Sequence, residues 1–296
     1  MAAGDRKPSS GLPAGPESGD RAYATMTART KALVPQLRER AVRTEELRRL
    51  PPETERDLHE AGLFRILQPK RVGGAELDYI ALIDCADLLG QGDASVAWNF
   101  ANLASHHWML GMFAQTAQDL VWSKNPDVLI ASSFIFPAGR AHRVKGGYRL
   151  HGSWPFSSGV ASCDWNMLAS VVYSEDEADG IEYRIFLLPK GDYRILDTWN
   201  VAGLRGTGSS DVEVRDAFVA DDMTVGVADL AGGPTPGSAV NPNPLYRLPV
   251  FSLFPYVLSG VALGNAQACL DDYVEVVRHR ISTYNRAKLS RSEERV

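Results

Sequence analysis

The sequence is short of the features that mark several protein classes. Its three cysteines are far apart and unpatterned, which argues against a disulfide framework and a cysteine-based metal site. The formal net charge is −5 and no basic stripe is interleaved with aromatic residues, so nothing indicates a nucleic-acid partner. No apolar run approaches the roughly 18 residues of a membrane span, and the N-terminus has no hydrophobic signal core. We therefore expect a cytoplasmic protein with no metal, nucleic-acid partner or membrane segment.

The character of the chain changes several times along its 296 residues. Residues 1–20 are dense in Gly, Pro and Ser and predict a disordered tail. Apolar residues at helical spacing predict an N-terminal helical domain over 21–126. Alternating apolar and polar residues between turn residues predict a compact antiparallel β-barrel or sandwich over 127–225. A linker loop at 226–247 then precedes one long helix in 248–296. The expected fold class is α+β.

The last helix carries a pattern that favours close packing. Gly260, Gly264 and Ala268 form a ridge of small residues, along which another helix can approach closely. A long helix needs partners, and the sequence stops soon after this one. We expect the chain to be a fragment that contains only the first helix of a C-terminal helical domain. The ridge and Val261 would then face water as a sticky patch.

Two strand-like motifs carry the strongest functional signal. The first, HGSWPFSSGVASCDW at 151–165, places Trp154 and Phe156 on alternate positions ahead of Ser158. The second, WNVAGLRGTGSSDVEV, follows at 199–214. An aromatic wall that ends in small hydroxyl donors suits a flat ring with a polar edge. The alternative is two core strands with serines at a turn.

The order of regions resembles the acyl-CoA dehydrogenase superfamily, and the motifs agree. LPPETERDLHEAGLFRILQPKRVGGAELDY resembles its N-terminal segment, and WNVAGLRGTGSSDVEVRDAFVADDM resembles the strand pair that closes its β-domain. The usual dehydrogenase segment Thr-Glu-Pro-x-Ala-Gly-Ser-Asp is replaced by ASSFIFPAGRA, and a Leu-Glu-Arg segment reads Leu245-Tyr246-Arg247. The pattern Gly-x-Trp-x-Phe-x-Ser-Gly instead resembles the oxygenase component of two-component flavin-dependent monooxygenases, such as hydroxyphenylacetate and secosteroid-phenol hydroxylases.

This resemblance implies a reaction and its partners. Reduced flavin, FMN or FAD, would arrive from a separate NAD(P)H-dependent reductase and react with O2 to form a C4a-hydroperoxide. That species would hydroxylate an aromatic, phenolic or similar electron-rich small molecule. The fold implies a homotetramer for the full-length protein. Two alternatives stay open, which are an acyl-CoA dehydrogenase-type FAD enzyme and a catalytically inactive truncated homologue.

The resemblance also assigns site residues. Ser158 would contact flavin N5, and His107 would accept the proton of a phenol, so both are expected to be catalytic. The other expected flavin-binding residues are Phe156, Ser157, Thr207 and Arg247, and the other substrate-binding residues are Trp98 and Ser133. Three of these have structural alternatives: a turn hydroxyl for Ser158, a core residue for His107 and a bridge between domains for Arg247. His106 is expected to be an ordinary core residue, since adjacent helix positions point about 100° apart.

Overall fold

In the computed structural model, which describes residues 16–173 and 181–281, a set of helices is followed by a sheet and a final helix. The helices are α1 (Pro16–Leu47), α2 (Pro52–Glu60), α3 (Tyr79–Gly90), α4 (Ala94–Leu110), α5 (Gln115–Trp122) and α6 (Val250–His279). The strands are β1 (Ile130–Ser133), β2 (Gly139–Val144), β3 (Gly147–Ser157), β4 (Trp165–Tyr173), β5 (Glu182–Pro189), β6 (Arg194–Leu196), β7 (Ser210–Ala220) and β8 (Thr224–Gly226). The predicted α+β class and the order of its regions are confirmed.

The first helix begins earlier than the sequence predicts. Residues 16–20 of the predicted tail belong to α1, and residues 1–15 lie outside the described residues. The helix is stabilised by an apolar stripe that includes the buried side chains of Met26 and Leu37. Composition is a poor guide at this end because packing of the stripe outweighs the low helix propensity of Ser18 and Gly19 in the first turn of α1.

The β-region is one eight-stranded sheet with the order β6-β7-β3-β2-β4-β5-β8, and β1 lies beside β4. Most neighbouring strands are antiparallel, as predicted. Strands β1 and β2, however, both run parallel to β4, with Ile130 opposite Trp165 and Arg140 opposite Val171. Alternation of apolar and polar residues shows which side chains face the core but says nothing about strand direction. The two parallel pairs could therefore not be predicted from it.

Helix α4 lies between the other helices and the sheet, and it is buried on nearly all sides. Asp93 caps its N-terminus, where Oδ1 accepts hydrogen bonds from the N–H groups of Ser95 at 2.8 Å and Val96 at 3.2 Å. The helix contacts α3, α6 and β1. It also reaches the second motif, because Asn99 Nδ2 donates to the carbonyl oxygen of Gly206 at 3.0 Å. A polar side chain of α4 thus contacts the second motif.

Helix α6 packs closely on α3 through its glycines. A methyl group at Gly260 would lie 2.5 Å from the carbonyl oxygen of Ile83, and one at Gly264 would overlap that of Asp87. The neighbouring Val261 is only 4% exposed. The ridge is covered within the chain, so the prediction that it would face water is wrong. Sequence spacing revealed the ridge but not that α3 is its partner.

A face of α6 beside the glycine ridge is apolar and exposed. Tyr256, Leu263 and Leu270 recur every seven residues and are 59%, 64% and 55% exposed. By length and composition alone α6 could cross a membrane, with a mean hydropathy of 1.3. The expectation that no segment would pass such a test is therefore wrong. Because Gly260 and Gly264 pack on α3, we interpret α6 as part of the helical layer.

Replacing Gly264 by alanine should destabilise the fold. Alanine favours a helix over glycine by about 1 kcal/mol, but here its methyl group would overlap the Asp87 carbonyl oxygen. Overpacking of this kind costs about 1–3 kcal/mol, and a backbone obstacle cannot move aside as a side chain can. Gly264→Ala should lower the free energy of unfolding measured in urea. The exposed control Ala266→Leu should change it by less than about 0.5 kcal/mol. Equal effects would contradict the packing.

Candidate functional site

A cavity of about 360 Å³ lies between α4, α6, β1 and the loops that follow β3 and precede β7. Aromatic and aliphatic side chains form most of its wall, with a few hydroxyl, amide and imidazole groups among them. The lining residues are Trp98, Asn102, His106, Ser132, Ser133, Phe134, Ile135, Phe156, Ser158, Trp199, Leu204, Thr207, Ser209, Phe254 and Leu258. An apolar cleft with few convergent polar groups is typical of a small-molecule site.

The cavity brings together five of the eight predicted site residues. These are Trp98, Ser133, Phe156, Ser158 and Thr207. They come from α4, β1, the end of β3 and the loop before β7, so residues far apart in sequence meet at one place. His107, Ser157 and Arg247 are not among the lining residues.

Helix α4 contributes a stripe of three residues to the wall. Trp98, Asn102 and His106 follow one another at intervals of four, which places them on one face of the helix. The stripe spans about 12 Å along the axis at 1.5 Å per residue. Asn102 Nδ2 donates to the backbone oxygen of Trp98 at 2.8 Å. One side of the cavity is therefore as rigid as the buried helix that carries it.

A bulge at the end of β3 separates the two aromatic residues of the first motif. The pairing of β3 with β7 shifts between Trp154 and Ser157, and Phe156 has a φ of 64°. Trp154 is fully buried, and its Nε1 donates to the carbonyl oxygen of Ala169 at 2.6 Å. Phe156 is 59% exposed and faces the cavity. The predicted single aromatic wall is wrong, because the bulge breaks the alternation on which it rested.

The same bulge sends neighbouring serines in different directions. Ser157 is fully buried, and its Oγ accepts a hydrogen bond from Asn166 Nδ2 at 3.0 Å. Ser158 lines the cavity, where its Oγ accepts from Trp98 Nε1 at 3.0 Å and lies 2.8 Å from Ser209 Oγ. The flavin-binding role predicted for Ser157 does not match this geometry, since its side chain is turned into the sheet.

The histidine pair on α4 is arranged oppositely to the prediction. His106 lines the cavity between Phe134 and Phe254, whose ring centroids lie 6.1 and 6.2 Å from its own. His107 points away from it, stacks on Trp122 and accepts a hydrogen bond at Nδ1 from Trp122 Nε1 at 3.1 Å. The 100° step between adjacent helix positions makes only one of the two available to the cavity. The structure therefore places His106 at the cavity wall, in the position predicted for His107.

The ring of His106 keeps one acceptor nitrogen that no described residue occupies. Its Nδ1 lies 2.6 Å from the carbonyl oxygen of Ile130, which can only accept, so Nδ1 carries the ring proton of the neutral form. Nε2 is buried without a partner among the described residues. Complete burial lowers the pKa of His106 to about 4, so the ring is neutral at pH 7.

Arg247 lies at the surface, outside the cavity. The preceding Tyr246 is fully buried and donates from its hydroxyl to the carbonyl oxygen of Leu67 at 2.9 Å. The tight turn from Pro244 to Arg247 anchors Tyr246 inside and leaves the next side chain outside. The predicted position of Arg247 at a flavin edge is not supported by this arrangement.

Sequence reasoning missed several cavity residues. His106 and Asn102 could have been found by counting in fours from Trp98, which is the spacing of one helix face. Ser209 lies inside the second motif, two residues after the predicted Thr207. Phe254 on α6 carries no local signal, because only the tertiary fold brings α6 beside α4.

Comparisons with known proteins agree with this architecture. The family model described as acyl-CoA dehydrogenase, N-terminal domain, matches residues 25–122, and that of the C-terminal domain matches residues 256–294. The structure is similar to the crystal structure of the HsaA monooxygenase from M. tuberculosis, with a TM-score of 0.82 and 34% sequence identity. That match covers 86% of this chain and 69% of the other. The chain belongs to the acyl-CoA dehydrogenase family.

Two similar proteins are named as the oxygenase parts of flavin-dependent enzymes. The oxygenase subunit HsaA of a flavin-dependent monooxygenase from Rhodococcus jostii (strain RHA1) is 37% identical over 247 residues, 83% of this chain and 64% of the relative. The oxygenase component of the FADH2-dependent resorcinol hydroxylase from Rhizobium sp. (strain MTP-10005) is 33% identical over 262 residues, 88% of this chain and 63% of the relative. The chain thus spans somewhat under two thirds of the length of either protein.

The two buried histidines should make stability fall in mild acid. Burial lowers the pKa of His106 to about 4 and that of His107 to about 3, against about 6.5 in an unfolded chain. Between pH 6.5 and 4 the unfolded state binds protons that the folded state does not, so the free energy of unfolding decreases as the pH falls. Two such groups contribute a slope of up to about 2.7 kcal/mol per pH unit.

His107→Asn should make this dependence shallower by up to about 1.4 kcal/mol per pH unit. The asparagine oxygen can still accept from Trp122 Nε1, but nothing titrates in this range. Urea denaturation between pH 4.5 and 6.5 measures the slope. His142→Asn, which replaces an exposed histidine, is the control. An unchanged slope in His107→Asn would show that the buried ring does not remain neutral.

Proposed function

We propose that this chain is the oxygenase component of a two-component flavin-dependent monooxygenase. It would use reduced flavin and O2 to hydroxylate a phenolic or similarly electron-rich aromatic molecule. The observation that carries the proposal is the polar lining of an otherwise apolar cavity. Three lining side chains, His106, Ser133 and Ser158, have their one proton committed to the protein and offer acceptors. Such a site favours flat ligands with O–H or N–H donors at the edge.

The cavity fits a reduced flavin. Trp98, Phe156 and Trp199 supply aromatic surface to its wall, with Phe156 and Trp199 edge to face at a centroid distance of 6.3 Å. Ser158 Oγ accepts from Trp98 and keeps a second lone pair for a ring N–H. When bound, reduced flavin would supply the activation of O2. The residues of this chain hold the ring and exclude water around it with apolar side chains.

The other end of the α4 stripe fits a phenol. The neutral His106 can accept a hydrogen bond from a phenol hydroxyl at Nε2, and Phe134 and Phe254 flank its ring. Movement of the hydroxyl proton toward Nε2 makes the aromatic ring more nucleophilic, which favours attack on an electrophilic oxygen. Ser133 Oγ donates to the Pro155 carbonyl oxygen at 2.6 Å and can act as a second acceptor. The name of the resorcinol hydroxylase is consistent with a phenol as substrate.

The partners follow from the same reading. The similar proteins are named as an oxygenase subunit and an oxygenase component, which supports a separate NAD(P)H-flavin reductase as the source of reduced flavin. A homotetrameric full-length protein and a cytoplasmic location stay predictions.

The proposal is tested by mixing the protein anaerobically with reduced FMN or FAD, admitting air and offering simple phenols. Mass spectrometry should detect a product heavier by one oxygen, and ¹⁸O2 should label it. A protein that purifies yellow and is bleached by an acyl-CoA would instead be a dehydrogenase. Flavin reoxidation at its free rate with no labelled product would favour an inactive homologue.

A pair of histidine variants tests the site assignment. His106→Asn keeps a donor for the Ile130 carbonyl oxygen but removes the Nε2 acceptor, so hydroxylation should slow by about 10²–10⁴-fold with more hydrogen peroxide per flavin consumed. His107→Asn makes the same change one position away, outside the cavity, and should retain near wild-type coupling. Product and peroxide are quantified in single-turnover reactions. If His106→Asn formed as much product per flavin consumed as wild type, His106 would have a purely structural role.

A further inference from the structure

A chain of hydrogen bonds runs along one edge of the cavity through three hydroxyl groups. Trp98 Nε1 donates to Ser158 Oγ at 3.0 Å, Ser158 Oγ lies 2.8 Å from Ser209 Oγ, and Ser209 Oγ lies 2.7 Å from Thr207 Oγ1. Thr207 Oγ1 donates to the carbonyl oxygen of Leu204 at 2.9 Å. One end of the chain can only donate and the other can only accept.

When all four contacts are hydrogen bonds, the two ends fix the direction of every bond between them. Each hydroxyl carries one proton. The proton of Thr207 goes to the Leu204 carbonyl oxygen, so the bond between Thr207 and Ser209 uses the proton of Ser209. Ser209 then has no proton left for Ser158, and the bond between those two uses the proton of Ser158. The hydroxyl hydrogen of Ser158 therefore points away from the cavity.

Burial protects this arrangement. Thr207 and Ser209 are 1% and 3% exposed, so water does not compete for their protons. The loop that carries them is held at two points, where Gly159 N–H donates to the Thr207 carbonyl oxygen at 2.8 Å and Asn99 Nδ2 donates to that of Gly206 at 3.0 Å. Bonds in such a chain polarise one another in the same direction. Ser158 is thus held as an acceptor before any ligand enters.

We propose that Ser209 and Thr207 are positioning residues that make the cavity select reduced over oxidised flavin, an inference that rests on the proposed function. Reduced flavin carries a hydrogen at ring nitrogen N5 and can donate it to Ser158. Oxidised flavin has only a lone pair there, so it would face the lone pair of Ser158. An oxygenase that receives reduced flavin from another protein would then bind the reduced form and release the oxidised form after the reaction.

The ratio of the two flavin affinities measures the selection. Calorimetric titration with oxidised FMN in air and with reduced FMN under nitrogen should show tighter binding of the reduced form by wild type. Ser209→Ala frees the proton of Ser158 to turn into the cavity, so the preference for reduced flavin should drop roughly tenfold. Thr207→Val should act in the same direction, and Thr207→Ser, which keeps the hydroxyl, should retain the wild-type ratio. Ser170→Ala, a buried serine in β4 away from the cavity, is the control.

A second readout needs no flavin. The indole N–H of Trp98 donates into the chain, so its ¹H–¹⁵N NMR signal, assigned with Trp98→Phe, should move upfield in Ser209→Ala and Thr207→Val. It should stay in place in Thr207→Ser and Ser170→Ala. If the substitutions only weakened packing, they would lower the free energy of unfolding without this pattern of Trp98 shifts.

The outcomes separate the inference from the function on which it rests. If wild type prefers reduced flavin but neither the affinity ratio nor the Trp98 signal responds to Ser209→Ala, the inference is overturned and the proposed function stands. If wild type binds neither form of flavin, both fail. Support for the inference would be a weaker preference for reduced flavin and a shifted Trp98 signal in Ser209→Ala and Thr207→Val. Both should return to their wild-type values in Thr207→Ser.

Discussion

The structure depends on a helix, α4, that is buried between the other helices and the sheet. Burial obliges polar groups to find partners inside the protein, because an unpaired one costs about 1–3 kcal/mol. Asn99 donates to the loop before β7, His106 binds the start of β1 and Trp98 binds the residue after β3. These bonds tie α4 to three of the segments that line the cavity, and α6 completes the wall. The position of one helix thus fixes the site.

The same bonds that satisfy the buried helix determine what the cavity can recognise. His106 donates its ring proton to the Ile130 carbonyl oxygen, and Ser133 donates its hydroxyl proton to that of Pro155. Ser158 donates its own to Ser209, the next hydroxyl of the chain that ends at Leu204. What remains on each is a lone pair. Recognition of donors is therefore a consequence of folding, and a ligand that lacks them leaves His106 Nε2 buried and unpaired.

Much of the fold and part of the site could be predicted from the sequence. Composition and periodicity predict the order of helical and β regions, and the family resemblance of the two motifs assigns Ser158 and Thr207 to one site. The alternation of apolar and polar residues does not show strand direction, so it could not predict that β1 and β2 run parallel to β4. Which of His106 and His107 faces the cavity depends on the rotation of α4 about its axis, and this rotation is set by packing. The outward direction of the Arg247 side chain is likewise set by packing. The glycine ridge on α6 was visible, but its partner α3 lies about 170 residues earlier in the chain.

The bulge at Phe156 explains why the first motif was both informative and misleading. A non-glycine residue at a φ of 64° costs of order 1–2 kcal/mol, and regular alternation would have avoided it. With regular alternation Phe156 would have shared the buried face of Trp154, and Ser158 would not have reached Trp98. The strain instead turns one aromatic ring to the cavity and places a serine at the start of the hydroxyl chain. The sequence departs from an ordinary strand at the point where the cavity acquires its polar edge.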